Sequence, residues 1–179
     1  RCLHWELECA EVFADRGGFD LLVGNPPWIK VEWNEGGVIG DFEPSFVIQG
    51  HSATKLSELR REAMRSFSGL RMAYLDEFAE FAGMQSFLNA GQNNPLLTTS
   101  HTNLYKCFLP QAWMAQSERG AGGFIHQEGG YDDPKGGAFR AALYPRLRFH
   151  FQFQNVLLLF PEINHPKTYS ANITGAPRA

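Results

Sequence analysis

Asn25-Pro26-Pro27-Trp28 is the tetrapeptide in this chain whose residue types and order suit a specific reaction. An amino group on an aromatic ring is a poor nucleophile, because its lone pair is delocalised into the ring. Two acceptors placed on its two N–H bonds hold it so that the lone pair localises on nitrogen and points outward. The Asn25 side-chain oxygen can supply one acceptor and the Pro26 carbonyl the other. Two consecutive prolines fix the backbone, so the second acceptor is preorganised. Trp28 then offers a flat apolar surface on which the ring stacks. With a strongly electrophilic methyl donor in line, no separate general base is required. A chance match to (Asp/Asn/Ser)-Pro-Pro-aromatic is expected in roughly one chain in 200 of this length.

Other reactive side chains form no comparable constellation. Six histidines (His4, His51, His101, His126, His150, His165) are scattered, and none stands at ligand spacing from another His or Cys, which argues against a metal site. Glu128 and Asp132-Asp133 fit a solvated loop or a helix N-cap better than a cleft. Asn103 and Tyr105 open a helix at the expected cleft edge, where capping and packing compete with a substrate contact. Arg60, Arg61, Arg65 and Arg71, and the acid-free run holding Lys135, Arg140, Arg146 and Arg148, read as solvated faces, with phosphate contact the alternative.

Elements must place the tetrapeptide. Phe19–Val23 is a short apolar run between Gly17-Gly18 and Gly24, the pattern of a strand covered on both faces in a parallel sheet. The prolines at 26 and 27 stop it. Residues 122–126 form a second, weaker strand. Phe149, Phe151 and Phe153 alternate with polar residues, and Tyr169–Thr174 can return beside them as a hairpin partner. Helical spacing joins Leu56, Leu59, Ala63, Phe67 and Leu70, and then Met72, Leu75, Phe78, Ala79 and Ala82. A further helix is expected over 103–118, with Gly120 as its stop, and another over 138–144. Residues 29–50 and 91–100 read as loops. The order predicts an α/β fold, a mostly parallel sheet with a terminal antiparallel hairpin and a helical and loop insertion over 29–100. Ligands of such sheets bind off the carboxyl ends of the strands, where Asn25 stands.

Composition narrows the class. The chain has 179 residues, 44% of them hydrophobic and 20% charged, enough for a core and too apolar for wholesale disorder. A net charge of −3 excludes a protein that grips nucleic acid by counterion release alone. No apolar run is long enough to span a bilayer, and the acidic start lacks the apolar region of a signal peptide. Cys2, Cys9 and Cys107 have no paired spacing, which points to reduced thiols and a cytoplasmic setting.

The run Phe19-Asp20-Leu21-Leu22-Val23-Gly24-Asn25-Pro26-Pro27-Trp28 resembles the catalytic segment of adenine-N6 DNA methyltransferases, particularly the large bacterial restriction–modification and phage-defence enzymes. Residues 4–8 and 11–13, Asn103-Leu104-Tyr105, Gly123-Phe124-Ile125 with Phe139-Arg140, and Leu159-Phe160-Pro161 are similar to flanking segments there. The resemblance implies a partial Rossmann-like methyltransferase fold, S-adenosylmethionine as methyl donor, and double-stranded DNA with a target adenine flipped out. It implies that Asn25 and Pro26 hold the adenine amino group, Pro27 shapes the loop, Trp28 stacks on the base, and Phe160 meets its other face or edge. Asn103 and Tyr105 are its further substrate contacts. The family's glycine-rich donor turn has no counterpart here, so the chain resembles the second half of the catalytic domain, inactive without the remainder of a larger chain or subunit. Protein-glutamine and ribosomal-RNA guanine methyltransferases share the Asn-Pro-Pro-aromatic pattern and form the nearest alternative. A non-catalytic, partner-binding subunit is the other.

Overall fold

The computed structural model describes residues 4–98, 103–161 and 166–178; Cys2, His101 and His165, named above, lie outside the described residues. In chain order the elements are α1 (Trp5–Glu8), α2 (Ala10–Arg16), β1 (Phe19–Gly24), α3 (Glu35–Gly40), α4 (Ser45–Ile48), α5 (Ala53–Ser66), α6 (Leu70–Asn89), α7 (Leu104–Ala115), β2 (Gln116–Gln127), α8 (Gly129–Asp132), α9 (Gly137–Leu143), β3 (Leu147–Gln154) and β4 (Thr168–Thr174). They form two compact units, one of Arg1–Lys30 with Leu88–Ala179 and one of Val31–Phe87.

In the first unit, α2 ends where Gly17 turns left-handed at φ 71° and donates its N–H to the Phe13 carbonyl, a helix end that glycine adopts without strain. Phe19 then packs edge-on against Trp5 and Phe13, with centroids 6.0 and 5.4 Å away. β1 pairs in parallel with β2, β2 antiparallel with β4, and β4 antiparallel with β3, giving the order β1-β2-β4-β3. The fold is α/β, but the expectation of a mostly parallel sheet is corrected: one pairing of three is parallel. The hairpin of β3 and β4 is not a fringe on the sheet. Its second strand pairs directly with β2, so the hairpin supplies half of the strands.

Two boundaries also differ from expectation. α7 stops at Ala115 and runs straight into β2, so Gly120 lies inside a strand. A Cβ on Gly120 would stand 2.5 Å from the Phe19 carbonyl oxygen. The glycine therefore serves a close strand approach, at the irregularity between Phe19 and Leu21 in the β1–β2 register.

The sheet has two unlike faces, as the register dictates. Toward the helices point His126, Ser170, Asn172 and Thr174, all buried, and Tyr105 of α7 stacks on His126 at 4.9 Å. Phe139 and Leu143 of α9 are wholly buried in the same unit. Opposite them, Val23, Gly123, Ile173 and Phe149 lie in one row across the sheet. There Leu21 is 65% exposed, Val23 76%, Phe149 59% and Phe151 53%. Among the described residues, this apolar face is uncovered.

The second unit is helical. Ile39, Phe46, Ala63 and Leu70 form its core, with Leu56, Leu59, Phe67 and Tyr74 packed against them. The 56–70 stripe thus faces inward as its spacing predicts. The 72–82 stripe does not: Met72, Leu75 and Phe78 are exposed. α6 turns Leu70 and Tyr74 inward, which rotates those residues outward. Residues 29–50 hold α3 and α4 rather than loop alone. Gly36-Gly37 is tolerated in α3 because Asn34 caps it, its side-chain oxygen accepting the Gly37 N–H at 2.9 Å.

Candidate functional site

Asn25 leaves the carboxyl end of β1, and the residues after it are tied down individually. Trp28 donates its indole N–H to the Ile125 carbonyl at 3.1 Å. The Leu104 N–H bonds the Ile29 carbonyl at 3.0 Å, and Lys30 bridges to Asn103. The tetrapeptide is thereby fastened to β2 and to the start of α7. Pro26 is buried, whereas Asn25 is exposed with no hydrogen-bond partner among the described residues.

A cavity of about 550 Å³ opens here, lined by Asn25, Pro26, Pro27, Trp28, Ile29, Lys30, Asn103, Gln127, Phe160 and Lys167. Six of the seven candidate site residues therefore share one cleft: Asn25, Pro26, Pro27, Trp28, Asn103 and Phe160. Trp28 and Phe160, remote in sequence, have centroids 4.8 Å apart at 42°. Tyr169 backs both, at 5.8 and 5.0 Å. A base between two rings needs about 3.5 Å on each side, so these two form a single wall rather than two jaws. Of the two expectations for Phe160, the other face of a base or its edge, this geometry is compatible with the edge.

Tyr105 is not in this cleft. It is 1% exposed, stacked on His126, with its hydroxyl against Gly129 and Gly130, and burial pushes that hydroxyl's pKa up. Two positions earlier, at the N-cap of α7, Asn103 does reach the cleft. Its Oδ1 is buried and has no hydrogen-bond partner among the described residues, a state costing about 1–3 kcal/mol until a donor arrives.

Three contributors lack any local sequence signal. Asn155 is buried, and its side chain grips the Phe160 backbone twice: Nδ2 donates to the carbonyl at 2.8 Å and Oδ1 accepts the N–H at 3.2 Å. Gln127 and Lys167 enter the cleft because β2 and β4 are neighbours, and pairing of strands distant in sequence is not written in either one. Among the described residues, the lining carries two cations, Lys30 and Lys167.

Glu128 stands at the N-cap position of α8 as expected, but its side chain makes no capping hydrogen bond and is buried rather than solvated. Its carboxylate is buried 3.5 Å from His150, beside a network centred on Asn172. Asn172 Nδ2 donates to His126 Nε2 at 3.0 Å, and its Oδ1 accepts from Tyr131 at 2.6 Å. Asp133 forms a buried ion pair with Lys106 at 2.7 Å. Arg60 is paired with Glu35 at 2.9 Å. Burial opposes the charge on Glu35, but hydrogen bonds from Arg60 and Tyr74 outweigh it and lower its pKa. Among the described residues, no cluster of His, Cys, Asp and Glu could hold a metal, and no helix is long and apolar enough to cross a membrane.

No known family, curated protein or solved structure matches the chain, so what it does must be argued from this cleft.

Proposed function

We propose that this chain holds a flipped adenine of duplex DNA for methylation at N6, as the acceptor half of a Rossmann-like methyltransferase. The observation that carries the reading is the unpartnered Asn25 amide beside the Trp28–Phe160 wall in one cleft, at the carboxyl end of a parallel strand. Asn25 Oδ1 accepts one N–H of the amino group and the Pro26 carbonyl the other, while the base lies on Trp28. Lys30 and Lys167 in the lining favour a polyanion over a protein-glutamine substrate. The buried, unpartnered Asn103 Oδ1 suits a base, which brings N–H donors.

S-adenosylmethionine supplies the methyl group when bound. The described residues do not fit it: no glycine-rich turn stands beside Asn25, and β1 is an edge strand. This chain's residues therefore hold the acceptor, and the donor site belongs to the remainder of a larger chain or subunit in a reducing, cytoplasmic setting. The test is transfer of labelled methyl from S-adenosylmethionine to adenine of unmodified duplex DNA by the full-length protein. Label appearing only in protein glutamine or in RNA guanine overturns the assignment.

A further inference from the structure

We propose that the loop Val156–Leu159 is a wedge that enters the base stack of duplex DNA and fills the place the flipped adenine leaves; this rests on the adenine reading above. The loop immediately precedes Phe160 of the cleft wall. All four of its side chains are apolar and all are exposed, Leu157 at 81% and Leu159 at 67%. A surface turn ordinarily carries polar residues, and a contiguous apolar patch marks an interaction site.

The loop is also held open rather than collapsed. Asn155 clasps the Phe160 backbone through both ends of its amide, which closes the intervening residues into a ring. The Asn155 N–H is itself anchored to the Lys167 carbonyl at 3.0 Å. Leu158 sits in the left-handed region at φ 48°, unusual for a residue with a branched side chain. Such strain is kept only where the surroundings fix it. Fixed in this way, the apolar tip cannot fold down onto Phe160 to hide from water.

The occupant follows from the neighbours. Phe160 and the loop share one short segment, so whatever delivers a base to Trp28 also meets Leu157 and Leu159. Lys167 anchors the loop through its backbone and lines the cleft, which favours an anionic chain there over another apolar protein surface. Apolar side chains of this kind insert between base steps and stabilise unstacked duplex.

The test uses the full-length protein, wild type and the double variant L157S/L159S, both first checked for equal melting. Both positions are exposed, so the fold should hold. Each is offered a duplex carrying the sequence the wild type methylates, once normally paired and once with the target adenine opposite an abasic site. The variant should methylate the paired duplex about tenfold to a hundredfold more slowly, yet stay within about threefold of wild type on the abasic duplex, where unpairing is already done. Equal slowing on both duplexes, or no slowing on the paired one, overturns the wedge while leaving the adenine reading intact. Failure of the wild type to methylate DNA at all removes both.

Discussion

Under the proposed function, a single amide oxygen, Asn25 Oδ1, is the group on which methyl transfer to adenine depends. Asn25→Ala removes one of two acceptors, leaving the nitrogen lone pair delocalised in the ring. Losing one preorganised hydrogen bond at a reacting centre costs on the order of 100- to 1,000-fold in turnover. Asn25→Asp keeps an acceptor of the same shape and should retain much more activity. Melting should hardly change, because Asn25 is exposed. Single-turnover methyl transfer to duplex DNA measures the loss; a rate within about tenfold of wild type for the alanine variant sinks the mechanism. A second residue-scale consequence concerns acid. His126 is buried, which lowers its pKa from the ordinary 6.5. Its Nδ1 lies 2.9 Å from the Gln127 carbonyl and its Nε2 accepts from Asn172, so the neutral ring satisfies both contacts. A histidine with a depressed folded pKa binds protons more readily when unfolded, so stability is lost as pH falls below 6.5. The slope is at most about 1.4 kcal/mol per pH unit. Chemical denaturation between pH 7.5 and 5 should show this fall, and His126→Gln should flatten it.

At the scale of elements, the turn into β1 is the least forgiving point. Gly18 has φ 143°, and a Cβ there would lie 2.6 Å from the Ala115 carbonyl oxygen. Gly18→Ala should cost about 2–3 kcal/mol in thermal or urea unfolding. Gly83 in α6 has open space around it, and Gly83→Ala should instead stabilise by about 0.5–1 kcal/mol. Equal effects at the two sites would show that the close approach at Gly18 is not fixed. These same elements show what the sequence discloses. β1 is legible because an unbroken apolar run between glycines has few other uses, and the two prolines mark its end. The tetrapeptide is legible because its residue types adjoin, whereas Phe160 is legible only through the resemblance carried by Leu159-Phe160-Pro161. β2 begins earlier than alternation suggests, since Gln116–Gly120 is polar and its place is set by α7 feeding directly into it. Tyr105 and Asn103 look equally suited to a cleft in sequence. Only the turn of α7 decides that one reaches it and the other is buried.

For the whole molecule, the bare sheet face is the dominant feature. Leu21, Val23, Phe149 and Phe151 present apolar surface that α/β sheets ordinarily cover with helices, and among the described residues nothing pairs with the outer edge of β1. In the 179-residue chain alone, L21K/F151E should raise solubility and reduce binding of an apolar dye. In a larger protein whose further elements cover this face, as the proposed function implies, the same pair should lower the melting temperature by about 5 °C or more, because charge is then buried. Unchanged melting there would mean that nothing covers this face.

The parallel pairing of β1 with β2 has a kinetic side. Leu22 meets Gly122 only after the chain has left the sheet at Gly24, built the whole of the Val31–Phe87 unit and returned. The entropy of closing so long a loop grows only with the logarithm of its length, so the cost in equilibrium stability is small. Speed is affected more, because non-local pairings form slowly while local helical contacts form at once. The β3–β4 hairpin and the helices of the second unit should therefore be in place before Asn25 meets its cleft. The cleft is then the last feature to assemble and, in native-state hydrogen exchange, the first to open.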